Sequence, residues 1–181
     1  MILEEKTIKR NDVFDGKIIS VHVDDVILPD GSISFREIVD HQSGGGVCVA
    51  PLTENGELIM VRQFRYPYGR ELLEVPAGKL EKGESPVDTG RRELFEEIGC
   101  KTENMIFLGE IYPTVAYCSE TIYAFAAAQL SYTGEQHLDS TEFLNVVRVP
   151  FEKAVEMVEN GEIKDSKTQI TILKLARLLN K

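Results

Sequence analysis

The sequence predicts an α/β domain on a mixed sheet, with a small antiparallel β-sheet at its N-terminal end. Three observations lead there. Residues 16–28 and 34–40 are strand-like runs rich in β-branched residues, joined through the turn signal Pro29-Asp30-Gly31. Further strand-like runs lie on both sides of a helical stretch that begins at Pro86, which favours a layered α/β arrangement over an all-β one. The chain has 181 residues, 43% of them hydrophobic, enough for one core and too many for a disordered chain.

Taken in order, residues 1–42 form the N-terminal β unit, and Gly44-Gly45-Gly46 marks a break. Residues 43–181 form the larger domain. It opens with strands over Val47–Leu52 and Leu58–Phe64, with Glu54-Asn55-Gly56 as a tight turn between them. A helix follows over Pro86–Ile98. Strands are expected over Met105–Tyr112, Ile122–Leu130 and Leu144–Val149, then helices over Phe151–Glu159 and from about Lys167 to Leu179.

Charge and composition exclude several functions. The net charge of −10 sets the chain against the phosphate backbone of DNA or RNA. A small phosphorylated substrate stays open if a metal ion stands between the negative groups. No run approaches the roughly 18 apolar residues of a membrane helix, and MILEEKTIKR does not read as a signal peptide. Cys48, Cys100 and Cys118 are odd in number and widely spaced, which favours a reducing, cytoplasmic setting over a disulfide scaffold. The scattered His22, His41 and His137 read as ordinary surface or loop residues.

The chemistry is concentrated in Gly78–Cys100, GKLEKGESPVDTGRRELFEEIGC. Ser85 suits the N-cap, Pro86 the first helical position, Asp88 the capping-box position and Gly99 the residue past the end. On a helical wheel Val87, Arg91, Leu94 and Ile98 lie within about 40° of one another, with Phe95 beside them, and the apolar members form the buried face. Glu93, Glu96 and Glu97 occupy a separate arc of about 100°. Carboxylates converging in a cleft repel by roughly 4 kcal/mol per pair at 4 Å and an effective dielectric near 20. A divalent cation removes that conflict, and hard oxygen ligands suit Mg²⁺ or Mn²⁺ rather than zinc. Taken alone, the stretch is also compatible with a solvated, glutamate-rich helix face.

The whole string closely resembles the Nudix box: Gly78, then Glu84, then Arg92-Glu93-Leu94, Glu96-Glu97 and Gly99 at the box spacings, with Cys100 where the box asks for a bulky aliphatic residue. The resemblance implies an α/β/α sandwich and Mg²⁺-dependent hydrolysis of a nucleoside diphosphate linked to another group. It assigns Glu93, Glu96, Glu97 and the carbonyl of Ala77 to the metal. It gives Arg92 the task of orienting a glutamate, and Glu84 that of supporting the loop or binding a further ion. Val61–Pro67 and Glu71–Gly78 resemble the segment before the box in ADP-ribose pyrophosphatases, as do the opening through FREIV and the tail IKDSKTQITIL. In that subfamily the N-terminal sheet helps build a homodimer.

On the same resemblance Arg65, Arg62, Arg36 and Glu120 are substrate-binding candidates. The loop Glu135–Glu142 is where relatives place a general base, with Glu142 first and Asp139 second. One departure concerns specificity. The subfamily's proline about 16 residues beyond the last box glycine would fall at Val115, yet the proline here is Pro113 and Tyr117 follows. Enzymes acting on diadenosine polyphosphates carry a tyrosine near that place. Three readings therefore stand: an ADP-ribose pyrophosphatase, a relative acting on dinucleoside polyphosphates or GDP-sugars, and a non-catalytic module that senses a nucleotide sugar.

Overall fold

The computed structural model describes residues 3–179. The chain forms two compact units. One contains the residues up to Gly45 together with Tyr112–Thr121, and the other contains Gly46–Ile111 with the residues from Ile122 onward.

The first unit is a three-stranded antiparallel sheet of β1 (Lys6–Asp15), β2 (Ile19–Ile27) and β3 (Ile33–His41), in that order. The β2–β3 hairpin turns at Gly31, whose φ of 85° is open to glycine without strain and whose N–H donates to the Leu28 carbonyl. β1 was not expected as a separate strand. Its sequence, KTIKRNDVFD, is polar and lacks a clean two-residue alternation, and its pairing with β2 has two register irregularities. The segment Tyr112–Thr121 joins this unit through Val39, whose N–H donates to the Tyr117 carbonyl and whose carbonyl accepts from Ser119.

His22 corrects the expectation of a surface residue. It is buried, with Nδ1 2.7 Å from Asp24 and Nε2 3.2 Å from Asp40. Two carboxylates satisfy both ring nitrogens, and this lets an imidazole occupy an interior position.

The second unit contains β4 (Gly45–Pro51) and β10 (Thr121–Ala128), each from its second residue on, with β5 (Glu57–Arg65), β6 (Arg70–Glu74), β7 (Ala77–Lys79), β8 (Cys100–Lys101), β9 (Asn104–Ile111), β11 (Ser131–Tyr132) and β12 (Leu144–Pro150). Three helices accompany them, α1 (Pro86–Ile98), α2 (Phe151–Glu159) and α3 (Ser166–Leu178). One sheet has the order β7-β4-β10-β9, a second β12-β5-β6, and a two-stranded ribbon joins β11 to β8. The short strands β6, β7, β8 and β11 escape a periodicity reading because they span too few residues to show one. Among the described residues no helix is long and apolar enough to cross a membrane.

The central strands are buried on both faces, so their sequences read as unbroken apolar runs. Alternation then divides each strand between two cores. Cys48 and Ala50 of β4, Leu58 and Met60 of β5, and Ala124 and Ala126 of β10 pack with Phe151, Ala154, Ile172 and Leu175 of α2 and α3. Val47 and Val49, Ile59 and Val61, and Phe125 and Ala127 pack on the other side with Leu94 and Ile98 of α1. This is the α/β/α sandwich.

The glycine run spans the division between the two units, at Gly45 and Gly46, yet the chain passes through it as strand. Gly44 alone turns, at φ 78°, while Gly45 and Gly46 are buried within β4. A Cβ at Gly45 would meet the Thr121 carbonyl oxygen at 2.0 Å, and one at Gly46 would meet the Gly78 carbonyl oxygen at 2.8 Å. Close backbone approach, not flexibility, is why glycine stands there.

Candidate active site

Helix α1 has the boundaries its sequence dictates. The Ser85 side chain accepts from the Asp88 N–H, Pro86 opens the helix, and Gly99 ends it at φ 62° with its N–H on the carbonyls of Leu94 and Phe95. The mid-helix glycine has a packing reason. A Cβ at Gly90 would lie 2.9 Å from the Met105 methyl and 3.2–3.3 Å from methyls of Val49 and Val47, so α1 sits closer to the sheet than alanine permits.

That close seating buries one edge of the acidic face. Glu93 is 7% exposed and Glu97 4%, while Glu96 is half-buried. The Glu93 carboxylate occupies the space over Gly78, where a Cβ would meet its Oε1 at 1.7 Å. Gly78 is thus a cradle for that carboxylate. Glu97 accepts one backbone hydrogen bond, from Ala77 N–H at 3.1 Å. Burial pushes the Glu93 carboxyl up to about 7, against the opposing pull of Arg92. It pushes Glu97 up to about 8, with repulsion from Glu93 and Glu142 adding to it.

Arg92 is the positive charge in this cluster. Its Nη1 lies 2.8 Å from both Glu93 Oε1 and Glu96 Oε2, its Nε and Nη2 hold Glu84 at 3.1 and 3.2 Å, and Nη2 also donates to the Lys79 carbonyl. The three carboxylates expected to converge on a cation are therefore divided. Arg92 bridges Glu93 and Glu96, and Glu97 takes no bond from it, accepting instead from Ala77 N–H. Among the described residues no three metal-ligating side chains converge on one point. Glu84 is tied into the loop, accepting from Thr89 Oγ1 at 2.7 Å as well as from Arg92.

The donors present suit a hard divalent ion. Glu93 and Glu97 are buried carboxylates that repel each other, Glu142 adds negative charge, and no sulfur or imidazole joins them. Glu142 lies in the loop ahead of β12, half-buried, its N–H donating to the Asp139 carbonyl at 2.9 Å and its Oε2 accepting from Asp139 N–H at 3.4 Å.

The arginines fall in different places. Arg65, at the end of β5, spends Nε and Nη2 on Glu74, each 2.7 Å away, and Nη1 takes no part in either bond. Arg62 is exposed on β5. Arg36 belongs to the N-terminal unit, where it donates to the Phe35 carbonyl and pairs with Glu5. Glu120 lies in the Tyr112–Thr121 segment of the same unit, half-buried, and Tyr117 is exposed in the turn before it.

Sequence reasoning did not single out the Glu74 cluster. This glutamate, 1% exposed, also takes Lys167 Nζ at 2.5 Å, and Lys167 reaches Asp165 at 2.9 Å. The Glu74–Lys167 contact joins residues 93 positions apart, which a linear motif does not reveal. Gln136 and His137, which contact the C-terminal turn of α1, were passed over for the same reason.

A mixed α/β sandwich carrying buried carboxylates on a loop–helix–loop defines a class of acidic-helix hydrolase folds, and comparison narrows the class. The family model described as NUDIX domain matches residues 43–169, and the one described as nucleoside diphosphate sugar hydrolase N-terminal domain matches residues 5–39. The chain belongs to the Nudix family of hydrolases. It is 44% identical to the ADP-ribose pyrophosphatase of Bacillus subtilis (strain 168), over 94% of this chain and 91% of that protein. It is 39% identical to the methanol dehydrogenase activator of Bacillus methanolicus, over 94% and 92%. Its fold matches a crystal structure described as ADP compounds hydrolase with a TM-score of 0.86, covering 99% of this chain and 97% of that one at 19% identity.

Proposed function

We propose that this hydrolase cleaves the pyrophosphate of ADP-ribose, releasing AMP and ribose 5-phosphate, with Mg²⁺ or Mn²⁺ as its cofactor. The observation that carries the reading is the pair Glu93 and Glu97, two carboxylates buried together on α1 with less protein cation than their charge requires. The similarity to an ADP-ribose pyrophosphatase along nearly the whole chain supports the substrate.

Glu93, Glu97 and Glu96, with the Ala77 carbonyl, would hold the metal. When bound, such an ion would supply charge neutralisation of the pyrophosphate and a more acidic attacking water. The protein's own part is to bind, orient and take a proton. Glu142, with Asp139 as the alternative, accepts the proton of the attacking water. Arg92 orients Glu93 and Glu96. Arg65 offers Nη1 to a phosphate oxygen or terminal ribose, a planar donor matched to oxyanion geometry, while Glu74 holds its other edge. Arg62 is the further candidate of the second unit for a substrate contact, and Arg36 and Glu120 are the candidates that the N-terminal unit offers.

Residues 1–42 are the unit through which two copies associate as a homodimer. Support comes from the apolar side chains its strands expose, Ile8, Val13, Phe14, Ile33 and Phe35. Light scattering at micromolar concentration checks this, and a monomer mass refutes it. The setting is the cytoplasm.

The altered turn at Pro113–Tyr117 favours a second reading, in which dinucleoside polyphosphates or other nucleotide sugars are the substrates. One assay separates the two. ADP-ribose, diadenosine polyphosphates, GDP-mannose and nucleoside triphosphates are compared side by side with Mg²⁺, by product release. ADP-ribose is expected to give the highest kcat/KM. Binding of ADP-ribose in a calorimeter with no AMP formed over hours would instead make the protein a sensor.

A further inference from the structure

We propose that Gln136 and His137 are positioning residues that clamp the loop carrying Glu142 to the last turn of α1, so that one helix sets both the metal carboxylates and the base. The inference rests on the proposed function.

The last carbonyls of a helix lack partners within it and are commonly left to water. Here the loop satisfies them. His137 N–H donates to the Glu96 carbonyl at 2.8 Å, Gln136 Nε2 to the Glu97 carbonyl at 2.7 Å, and Thr133 N–H and Oγ1 to the Gly99 carbonyl at 2.7 and 2.8 Å. The carbonyls of Glu96 and Glu97 belong to the residues whose side chains form the acidic face. A shift of the loop is therefore a shift relative to those two residues.

Side-chain packing reinforces the clamp. The His137 ring stacks on Phe95 of α1, with centroids 4.4 Å apart and planes 21° apart. Leu138 packs against the core cluster that contains Leu94 and Ile98. The backbone comes close enough that a Cβ at Gly99 would meet the Glu135 carbonyl oxygen at 2.4 Å. Beyond the clamp, residues 139–142 fold back on themselves through the Asp139–Glu142 contacts, and β12 then fastens to β5. Glu142 thus sits on a short span fixed at both ends.

Gln136 and His137 are exposed, so replacing them leaves the core intact. The test measures Mg²⁺-dependent hydrolysis of ADP-ribose and hydrogen exchange of the loop amides in Q136A, H137A and H137F, with Q136A also made in an E142Q background. In Q136A, kcat is expected to fall by about ten-fold or more while KM stays within about three-fold, because misplacing a catalytic group costs turnover more than binding. Amides over 136–142 should exchange faster. H137F keeps the stack and should recover most of what H137A loses. In the E142Q background Q136A should cost almost nothing further, since a clamp without its base has nothing left to position.

Multiplying penalties from Q136A and E142Q, or a loosened loop with unchanged kcat, would overturn the clamp and leave the hydrolase reading standing. Wild-type turnover in E142Q would overturn Glu142 as the base and the clamp with it, whereas no turnover of ADP-ribose by the unaltered protein would overturn the hydrolase reading itself.

Discussion

Glu74 and Glu97 are the same residue type, both almost wholly buried in the same unit, and their carboxyls shift in opposite directions. Burial alone would raise Glu74, but two hydrogen bonds from Arg65 and the charge of Lys167 bring it below the ordinary carboxylate value. Glu97 has one backbone N–H, and its neighbours Glu93 and Glu142 are negative, so burial and repulsion carry it up to about 8. Burial does not distinguish a structural charge from a functional one. The sign of the surrounding charge does. Glu74 has its cations built into the fold. Glu97 has no such ion pair: Arg65, whose charge reaches it, is hydrogen-bonded to Glu74, and Arg92 is divided among Glu84, Glu93 and Glu96.

The largest expected effect separates the two on activity. Glu97→Gln should lower Mg²⁺-dependent turnover by about two orders of magnitude or more, because a carboxylate that holds the ion contributes directly to transition-state charge. The same change removes a buried like charge, so the metal-free variant should melt no lower than the parent at pH 8. Near-normal turnover would break the comparison on the functional side.

Glu74→Gln should act on stability instead. Removing one partner of a buried ion cluster costs about 3–5 kcal/mol, since Lys167 and Arg65 lose their counter-charge. Urea unfolding reads this directly, and the surviving folded fraction should keep more activity than Glu97→Gln does. A Glu74→Gln protein as stable as the parent would show that Asp165 alone suffices for Lys167.

This contrast also divides what the sequence could reveal from what it could not. Helix α1 was legible to the residue because Ser85, Pro86 and Gly99 are local signals, each acting within one turn. Its acidic face was legible because three glutamates fall within one arc. The Arg92 bridge was not. A wheel places Glu93 and Glu96 on one face but does not show that a single guanidinium nitrogen reaches both. The Glu74 cluster was illegible for another reason. Its pairing with Lys167 depends on α3 returning to the end of β6, a contact set by topology. Glycines 44–46 mark where the two units divide, but that Gly45 and Gly46 are strand residues was not legible, because a run of glycine signals flexibility or close approach equally well and only the neighbouring strands decide. His22 misled because its two partners lie on different strands, one of them eighteen residues away.

A smaller effect follows from titration. A carboxyl raised in the folded state binds more protons folded than unfolded, so stability is lost as pH rises from the unfolded value through the folded one. For the metal-free protein Glu93 and Glu97 should thus erode stability between about pH 4.5 and their folded values near 7 and 8. Glu74 works the other way, its contribution present above the ordinary carboxylate range and lost as pH falls through its lowered value. Melting in chelator should therefore show a higher Tm near pH 6 than near pH 8.5, and added Mg²⁺ should raise Tm more at the higher pH. A chelated protein that gains stability steadily to pH 8.5 would mean that the two carboxylates of α1 are already compensated.

The smallest effect tests why those carboxylates are buried at all. Glycine costs about 1 kcal/mol relative to alanine in a helix interior, so Gly90→Ala should stabilise the protein if α1 had room. It does not. The Met105 methyl at 2.9 Å can swing away, but Val47 and Val49 are β-branched, sit on a central strand and cannot. Overpacking costs about 1–3 kcal/mol, which offsets or exceeds the propensity gain. The net change should be a destabilisation of about 1 kcal/mol, read by urea unfolding. Any relief comes by lifting α1 off the sheet, which widens the space in which Glu93 lies over Gly78. Turnover should then fall further than stability does. A Gly90→Ala protein that is both more stable and fully active would show that the seating of α1 is not what holds the acidic pair in place.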